Sequence, residues 1–303
     1  MFLLLSGHWL GPTLVAFLLY GISGGLFKQA LDDIPVSRFC LYTVVVDAVV
    51  YMSFFLYWHK TGSHPPPFAP EGLQFFFWAM VSGLLEGIAG ILYYESLSGG
   101  PVSIVGTVSA AYPVATAVLA FIFLGELLIP TQYIGAALVV AGCIGIAYEP
   151  SDPDQKTSTR RALGMPLWFV YAILAALLWG IGGAMNRWVY ELPNASEANF
   201  ALYGIFADVL TIGVYGALLE REWKFPVKEG AWAALPLAIS AVADGVLYLA
   251  YRLGPATLVT TLSGAYPAVT LVYAYFVIKE RPTFLQWVCI ALVFIGMLLS
   301  PGA

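Results

Sequence analysis

Long apolar runs alternate with short breaks rich in proline, glycine or charge along the whole chain. A helix needs roughly 20 apolar residues to cross a hydrocarbon core of about 30 Å, and cutting at the breaks gives ten segments of about that length. They run approximately from Leu10 to Ala30, Phe39 to Trp58, Leu73 to Tyr94, Pro101 to Leu124, Thr131 to Tyr148, Met165 to Arg187, Ala198 to Leu219, Ala231 to Tyr251, Pro255 to Ile278 and Thr283 to Leu299. The pattern predicts an all-α integral membrane protein with ten transmembrane helices. The longest connections are a Pro-rich stretch from His59 to Gly72 and a polar one from Glu149 to Gly164, so no separate soluble domain is expected.

The chain also repeats itself. Pro101 to Cys143 aligns without a gap onto Pro255 to Met297, an offset of 154, with 16 of 43 positions identical. The identities include Ala111-Tyr112-Pro113 with Ala265-Tyr266-Pro267, Thr116 with Thr270, Glu126 with Glu280 and Gln132 with Gln286. At offsets of 159 and then 161, Gly21, Gly24 and Lys28 meet Gly180, Gly183 and Arg187, while Leu41, Tyr42 and Asp47 meet Leu202, Tyr203 and Asp208. The expected organisation is a five-helix unit over residues 10–148, a polar linker over 149–164 and a second unit over 165–300. Because five is odd, the second copy enters the bilayer in the opposite direction, which makes two inverted five-helix repeats, an arrangement found in alternating-access transporters.

Composition supports lipid as the solvent. Of 303 residues, 60% are hydrophobic and only 10% charged, against about 25% charged in soluble domains, and the mean hydropathy is +0.83. Twelve of the 31 charges fall in Glu149 to Arg161 and Glu220 to Glu229, which read as aqueous loops. A soluble enzyme is excluded. A net charge of -5, with no basic run beyond Arg160-Arg161, leaves no electrostatic footprint for nucleic acid. Cys40, Cys143 and Cys289 lie inside apolar segments without metal-ligand or CxxC spacing and read as small packing residues, so neither a metal nor another cofactor is expected. Met1 to Gly25 lacks the basic start and clear cleavage site of a signal peptide, and its pattern recurs later in the chain; retention is expected.

With Lys28-x-Ala30-Leu31, Pro35, Arg38-Phe39, Tyr93-Tyr94, Gly100-Pro101-x-Ser103, Ala111-Tyr112-Pro113 and Leu124-Gly125-Glu126, the first repeat resembles the drug/metabolite transporter superfamily in its ten-helix EamA-type branch. The second keeps Tyr248, Gly254-Pro255-x-Thr257, Ala265-Tyr266-Pro267 and Glu280, with Lys279 in place of Gly125. The resemblance covers nearly the whole chain. It implies a multi-pass carrier of a small metabolite, in many bacterial members an exporter of amino acids or related compounds, placed in the plasma (inner) membrane if the source is bacterial or archaeal. The shared motifs are mostly scaffold and name no substrate.

Ionisable groups within hydrocarbon cost at least about 2.5 to 3.5 kcal/mol and therefore face protein or a wet cavity. Asp47 and Asp208 sit in apolar runs at equivalent positions and are candidates for proton uptake or for holding a substrate amine; the plainer reading is helix-to-helix hydrogen bonding. Glu86, Gly90, Tyr94 and Ser98 align with Ser240, Asp244, Tyr248 and Arg252, each set spaced by four, which keeps it on one slowly drifting helix face. If these faces meet, they line a central cavity. The candidate proton-coupling residues are therefore Asp47, Glu86, Asp208 and Asp244. The candidate substrate contacts are Lys28, Glu86, Tyr94, Tyr112, Arg187, Tyr248, Arg252 and Tyr266, with snorkelling and an aromatic belt as the alternatives for the basic residues and for Tyr94 and Tyr248. Pro113 and Pro267 are expected to bend the fourth and ninth helices and serve as gating pivots. Ser109 and Thr116, like Ser263 and Thr270, share a face with the tyrosines, where substrate contact and interhelical bonding remain open. Glu126 and Glu280 are expected to cap the helices that follow them.

The leading expectation is a secondary transporter of an amino acid or amine-like compound, with a proton as the candidate coupling ion and the lipid bilayer as its surroundings. A carrier of a nucleotide-linked or phosphorylated metabolite, held by Lys28, Arg187 and Arg252, is the nearest alternative. An intramembrane enzyme using a carboxylate dyad, Asp208 with Asp244 or Asp47 with Asp208, is the distant one, and no hydrolase or protease motif accompanies it. Orientation has two readings. The resemblance implies cytoplasmic termini, whereas the positive-inside rule, with Lys28, Arg38, Arg187 and Arg252 set aside as pathway residues, counts one basic residue on the terminal side against eight and favours external termini. A C-terminal reporter fusion, active on one side only, decides between them.

Overall fold

The computed structural model describes residues 8–62, 64–100, 102–146, 161–162, 165–273, 275–276 and 283–299. They fold as helices Leu10–Asp33 (α1), Val36–Thr61 (α2), Leu73–Gly99 (α3), Val102–Ser109 (α4), Tyr112–Leu119 (α5), Pro130–Ile146 (α6), Leu167–Val189 (α7), Glu197–Asp208 (α8), Val214–Leu219 (α9), Val227–Leu253 (α10), Ala256–Ser263 (α11), Tyr266–Tyr273 (α12) and Phe284–Leu299 (α13). The fold is all-α apart from Arg161–Ala162 (β1) pairing antiparallel with Met165–Pro166 (β2) just before α7. Most of the 149–164 linker, together with Tyr148, Ile278, Lys279 and Glu280, lies outside the described residues.

Among the described residues six helices are long and apolar enough to cross a bilayer: α1, α2, α3 with its preceding turn, α7, α10, and the rod Glu197–Leu219 made by α8 and α9. Tyr112–Leu124 and α13 are apolar but shorter. Several helices outrun the expected segments. For example, α2 begins three residues before Phe39 and continues through His59 and Lys60 to Thr61, because polar side chains at a helix end reach the interface without ending the helix. The outer surface carries bare apolar side chains such as Phe123, Leu218 and Leu298, 75%, 78% and 81% exposed, while Ser82, Thr260 and Gln286 are buried. Such a polarity suits lipid and would be a liability in water.

The expected unbroken helices around the two Ala-Tyr-Pro sequences are each divided. A turn at Ala110-Ala111 separates α4 from α5, and one at Gly264-Ala265 separates α11 from α12. Pro113 and Pro267 occupy the first turn of the segment after each break. They begin a new helix, where a missing N–H costs little, rather than bending the interior of an existing one. The α5 rod ends in a π-turn over Ala120–Leu124 and stops at Gly125, whose φ of 64° is the left-handed conformation of a helix C-cap. That turn sends Glu126 toward the other half of the chain. Its carboxylate accepts the Ala256 N–H at 2.7 Å, the Thr257 N–H at 3.0 Å and the Thr257 hydroxyl at 2.9 Å. Glu126 therefore caps α11, not the following α6 as expected, because the free N–H groups within reach belong to α11. Glu126→Ala leaves them without a charged acceptor, a loss of about 1.5–3 kcal/mol. It is expected to lower the thermal midpoint in detergent, and an unchanged midpoint would count against the clasp.

Helix packing comes in matched pairs. The α3 helix lies along α7 and α1 along α10, while α6 packs on α13 and α2 on α8. Gly21 of α1 lets the Tyr266 carbonyl approach so closely that a Cβ would sit 3.0 Å from it; Gly180 of α7 meets the Tyr112 carbonyl in the same way at 2.9 Å. Beside each glycine a threonine hydroxyl crosses over, Thr270 to the Gly21 carbonyl and Thr116 to the Gly180 carbonyl, both at 2.9 Å. The start of α1 meets the end of α10 through Trp9 and Gly254, and the start of α7 meets the end of α3 through Trp168 and Gly100.

Candidate functional site

Side chains from α1, α2, α3, α5, α7, α8, α10 and α12 surround a cavity of about 180 Å³. For scale, a cavity of about 150 Å³ admits benzene. Four carboxylates line it: Asp47 from α2, Glu86 from α3, Asp208 from the end of α8 and Asp244 from α10. Local structure sets each of them. Asp47 sits in regular helix, whereas Asp208 is followed at once by a π-turn over Val209–Gly213, the kind of helix irregularity that recurs at functional sites. Glu86 is pressed against Gly182 of α7, where any side chain would collide with its carboxyl group.

Asp244 accepts hydrogen bonds on both oxygens, from Tyr20 on Oδ1 and from Tyr51, at 3.1 Å, on Oδ2. Glu86 accepts one from the Asn186 amide at 3.2 Å, and the carbonyl of that amide takes the Ser82 hydroxyl at 2.6 Å. Asp47, only 7% exposed, has no hydrogen-bond partner among the described residues. It lines the same cavity as Asp208 and Asp244. The remaining wall is dominated by tyrosines, with Trp179 beside Tyr93 and Tyr112. No lysine or arginine lines the cavity among the described residues. The arrangement can hold positive charge, exchange protons and offer aromatic faces to a cation.

Of the residues singled out in the sequence, Asp47, Glu86, Tyr94, Tyr112, Asp208, Asp244, Tyr248 and Tyr266 come together in the wall. Arg187 and Arg252 do not. Arg187 pairs with Glu191 at 3.3 Å, one turn on, and Arg252 pairs with Glu197 at the start of α8. Helix geometry gives the reason: at 3.6 residues per turn each four-residue step drifts about 40°, so the face that carries Ser240, Asp244 and Tyr248 turns away before Arg252 and takes up Tyr251 instead. Ser98 is likewise exposed and bonds the Glu95 carbonyl. Lys28 lies in α1, with its side chain outside the described residues. Pro113 and Pro267 flank the cavity tyrosines without lining the cavity.

The hydroxyls of the Ala-Tyr-Pro helices serve the scaffold. Ser109 bonds the Val105 carbonyl, Ser263 the Val259 carbonyl at 2.8 Å, and Tyr112 meets Ser263 at 3.1 Å across the two halves. At one end of the bundle Arg38 of α2 bridges Glu220 at 3.2 Å and Glu229 at 3.1 Å, tying α2 to the end of α9 and the first turn of α10. Burial pushes the Glu220 carboxyl up, but hydrogen bonds from the Glu222 N–H, Ser37 and Arg38 outweigh it and hold the group below the usual carboxylate range.

Tyr20, Tyr51, Asn186, Trp179 and Tyr251 were not legible as site residues from the sequence. One usable signal was present, since Tyr20 and Trp179 share the 159-residue offset of the glycines. Nearly all of the lining obeys the same rule: Phe27 pairs with Asn186, Thr43 with Gly204, Asp47 with Asp208, Tyr51 with Ile212, Glu86 with Ser240 and Gly90 with Asp244, each at its repeat offset.

A family model described as the EamA-like transporter family matches residues 6–148 and again residues 166–300. A solved structure, described only as the crystal structure of a protein, superposes with a TM-score of 0.70 over 96% of both chains at 17% identity, a likeness of fold. No curated protein matches by sequence.

Proposed function

Because the chain belongs to the EamA-like transporter family, we propose that it is an alternating-access secondary carrier of a small amine-bearing metabolite, whose ten helices form two inverted repeats rocking about the carboxylate-lined cavity. The carrying observation is that Asp47 and Glu86 from one repeat and Asp208 and Asp244 from the other converge on one cavity that no described cation neutralises. Buried acids without counter-ions are costly in lipid, and in a transporter that cost supplies the site for a moving cation, a proton or a protonated amine.

Inverted symmetry is supported by the paired contacts. Trp9 meets Gly254, and their repeat mates Trp168 and Gly100 meet in the same way; in inverted repeats these contacts fall at opposite ends of the bundle. A cavity whose wall is made of repeat mates sits on the axis relating the copies, where a carrier site belongs. The breaks before Pro113 and Pro267 are the proposed pivots, since the half-helices on either side can reorient without breaking a continuous hydrogen-bond ladder. Arg187 and Arg252 are committed to carboxylates away from the cavity, which leaves an anionic cargo without a basic partner among the described side chains.

Counterflow of radiolabelled amines and amino acids in proteoliposomes tests the proposal. At least one compound is expected to exchange saturably, and the combined change Asp47→Asn, Glu86→Gln, Asp208→Asn and Asp244→Asn is expected to abolish exchange. Exchange that survives all four changes would sink it.

A further inference from the structure

We propose that the cargo is an organic amine that carries no carboxylate. This rests on the carrier reading and narrows it. Asp47 carries the inference: the residue is 7% exposed, lines the cavity and has no hydrogen-bond partner among the described residues. A buried polar group in that position calls for a partner; a proton supplies one, and so does a protonated amine, whose N–H donors and positive charge make the strong, charge-assisted form of the bond. Asp208, half-buried, lines the same space. Of the two partners, a protonated amine is the one that would also use the tyrosine and tryptophan faces of the wall.

The exclusion of a carboxylate comes from the donors. The hydroxyls of Tyr20 and Tyr51 are already given to Asp244, the Asn186 amide to Glu86, and the Tyr266 hydroxyl to the Gly106 carbonyl at 3.4 Å. The donors left in the wall, among them the hydroxyls of Tyr94, Tyr248 and Tyr251 and the Trp179 N–H, are all neutral, and an amino acid would have to place its own carboxylate among four others with no described basic side chain to offset it. An amine meets the opposite conditions: acceptors on several sides and tyrosine and tryptophan faces for its charged and apolar parts. Lys28 stands one helical turn after the lining residue Gly24 and is the residue to control for.

The test uses pairs that differ in the carboxylate alone. Competition binding to the purified full-length protein compares tyramine with tyrosine, 2-phenylethylamine with phenylalanine and putrescine with ornithine, and adds tyrosine methyl ester, which keeps the bulk and removes the charge. In at least one pair the amine is expected to bind tenfold or more tightly than the acid. The ester is expected to follow tyramine, and Asp47→Asn to weaken the amine at least tenfold. Equal or tighter binding of the acid in every pair overturns the proposal, and loss of that binding in Lys28→Met would trace the anion site to Lys28. Binding of no amine also overturns it. Counterflow of an amino acid without any amine would leave the carrier reading standing while this one falls; absence of binding and flux for every compound would remove both.

Discussion

Asp244→Asn is expected to lower counterflow about 100-fold and to raise the concentration of amine needed for half-saturation. Asparagine keeps the shape of the side chain and one acceptor oxygen, but removes the charge on which the Tyr20 and Tyr51 hydroxyls converge. Truncating one partner of a buried, hydrogen-bonded charge pair typically costs about 2–5 kcal/mol, and about 2.7 kcal/mol corresponds to 100-fold. Tyr51→Phe removes one of the two hydrogen bonds and keeps the charge, so a smaller loss of roughly tenfold is expected. Flux measurements on both variants check the order. A larger defect in Tyr51→Phe than in Asp244→Asn would place the essential interaction on the phenol and contradict the assignment.

Asp47→Asn is expected to abolish transport while making the protein more stable. The wild-type side chain is buried, lacks a described hydrogen-bond partner and shares its cavity with Asp208 and Asp244. Replacing a buried acid with a neutral amide there is expected to contribute on the order of 1 kcal/mol, a rise of roughly 2–4 °C in the thermal midpoint. A stability gain paired with lost activity marks a residue kept for function. Unfolding in detergent and counterflow, measured on the same preparation, give the two halves of the result. A variant that melts earlier and still transports would show that Asp47 serves the scaffold instead.

The long apolar segments, the duplication and the central acids were legible because each leaves a one-dimensional trace. Hydrophobic length marks a span, a fixed offset marks a repeat, and an aspartate among valines marks an inward face. What escaped depends on three-dimensional reach. Glu126 lies next to α6 in sequence, yet caps α11, because Gly125 turns the chain toward the other half. Arg252 follows Tyr248 by one step of four, yet leaves the cavity through accumulated helical drift. Asn186 looks like a polar residue beside a snorkelling arginine, and its contact with Glu86 follows from how α7 lies along α3 at Gly182. The breaks before Pro113 and Pro267 show the same limit: proline marks the place of an irregularity, and packing decides whether it becomes a bend or a new helix start.

The most direct test is labelling of a single cysteine in the cavity wall. With Cys40, Cys143 and Cys289 replaced, Ser240→Cys places a thiol beside Asp244 in a half-buried position on the lining. A membrane-impermeant cationic thiol reagent is then applied to oriented vesicles from either face. Modification from both faces, slowed from each by a transported amine, is the result expected of a central site shared by two rocking repeats. A thiol that never reacts, or reacts from one face only and ignores every amine, would show that no chamber between the repeats carries the cargo.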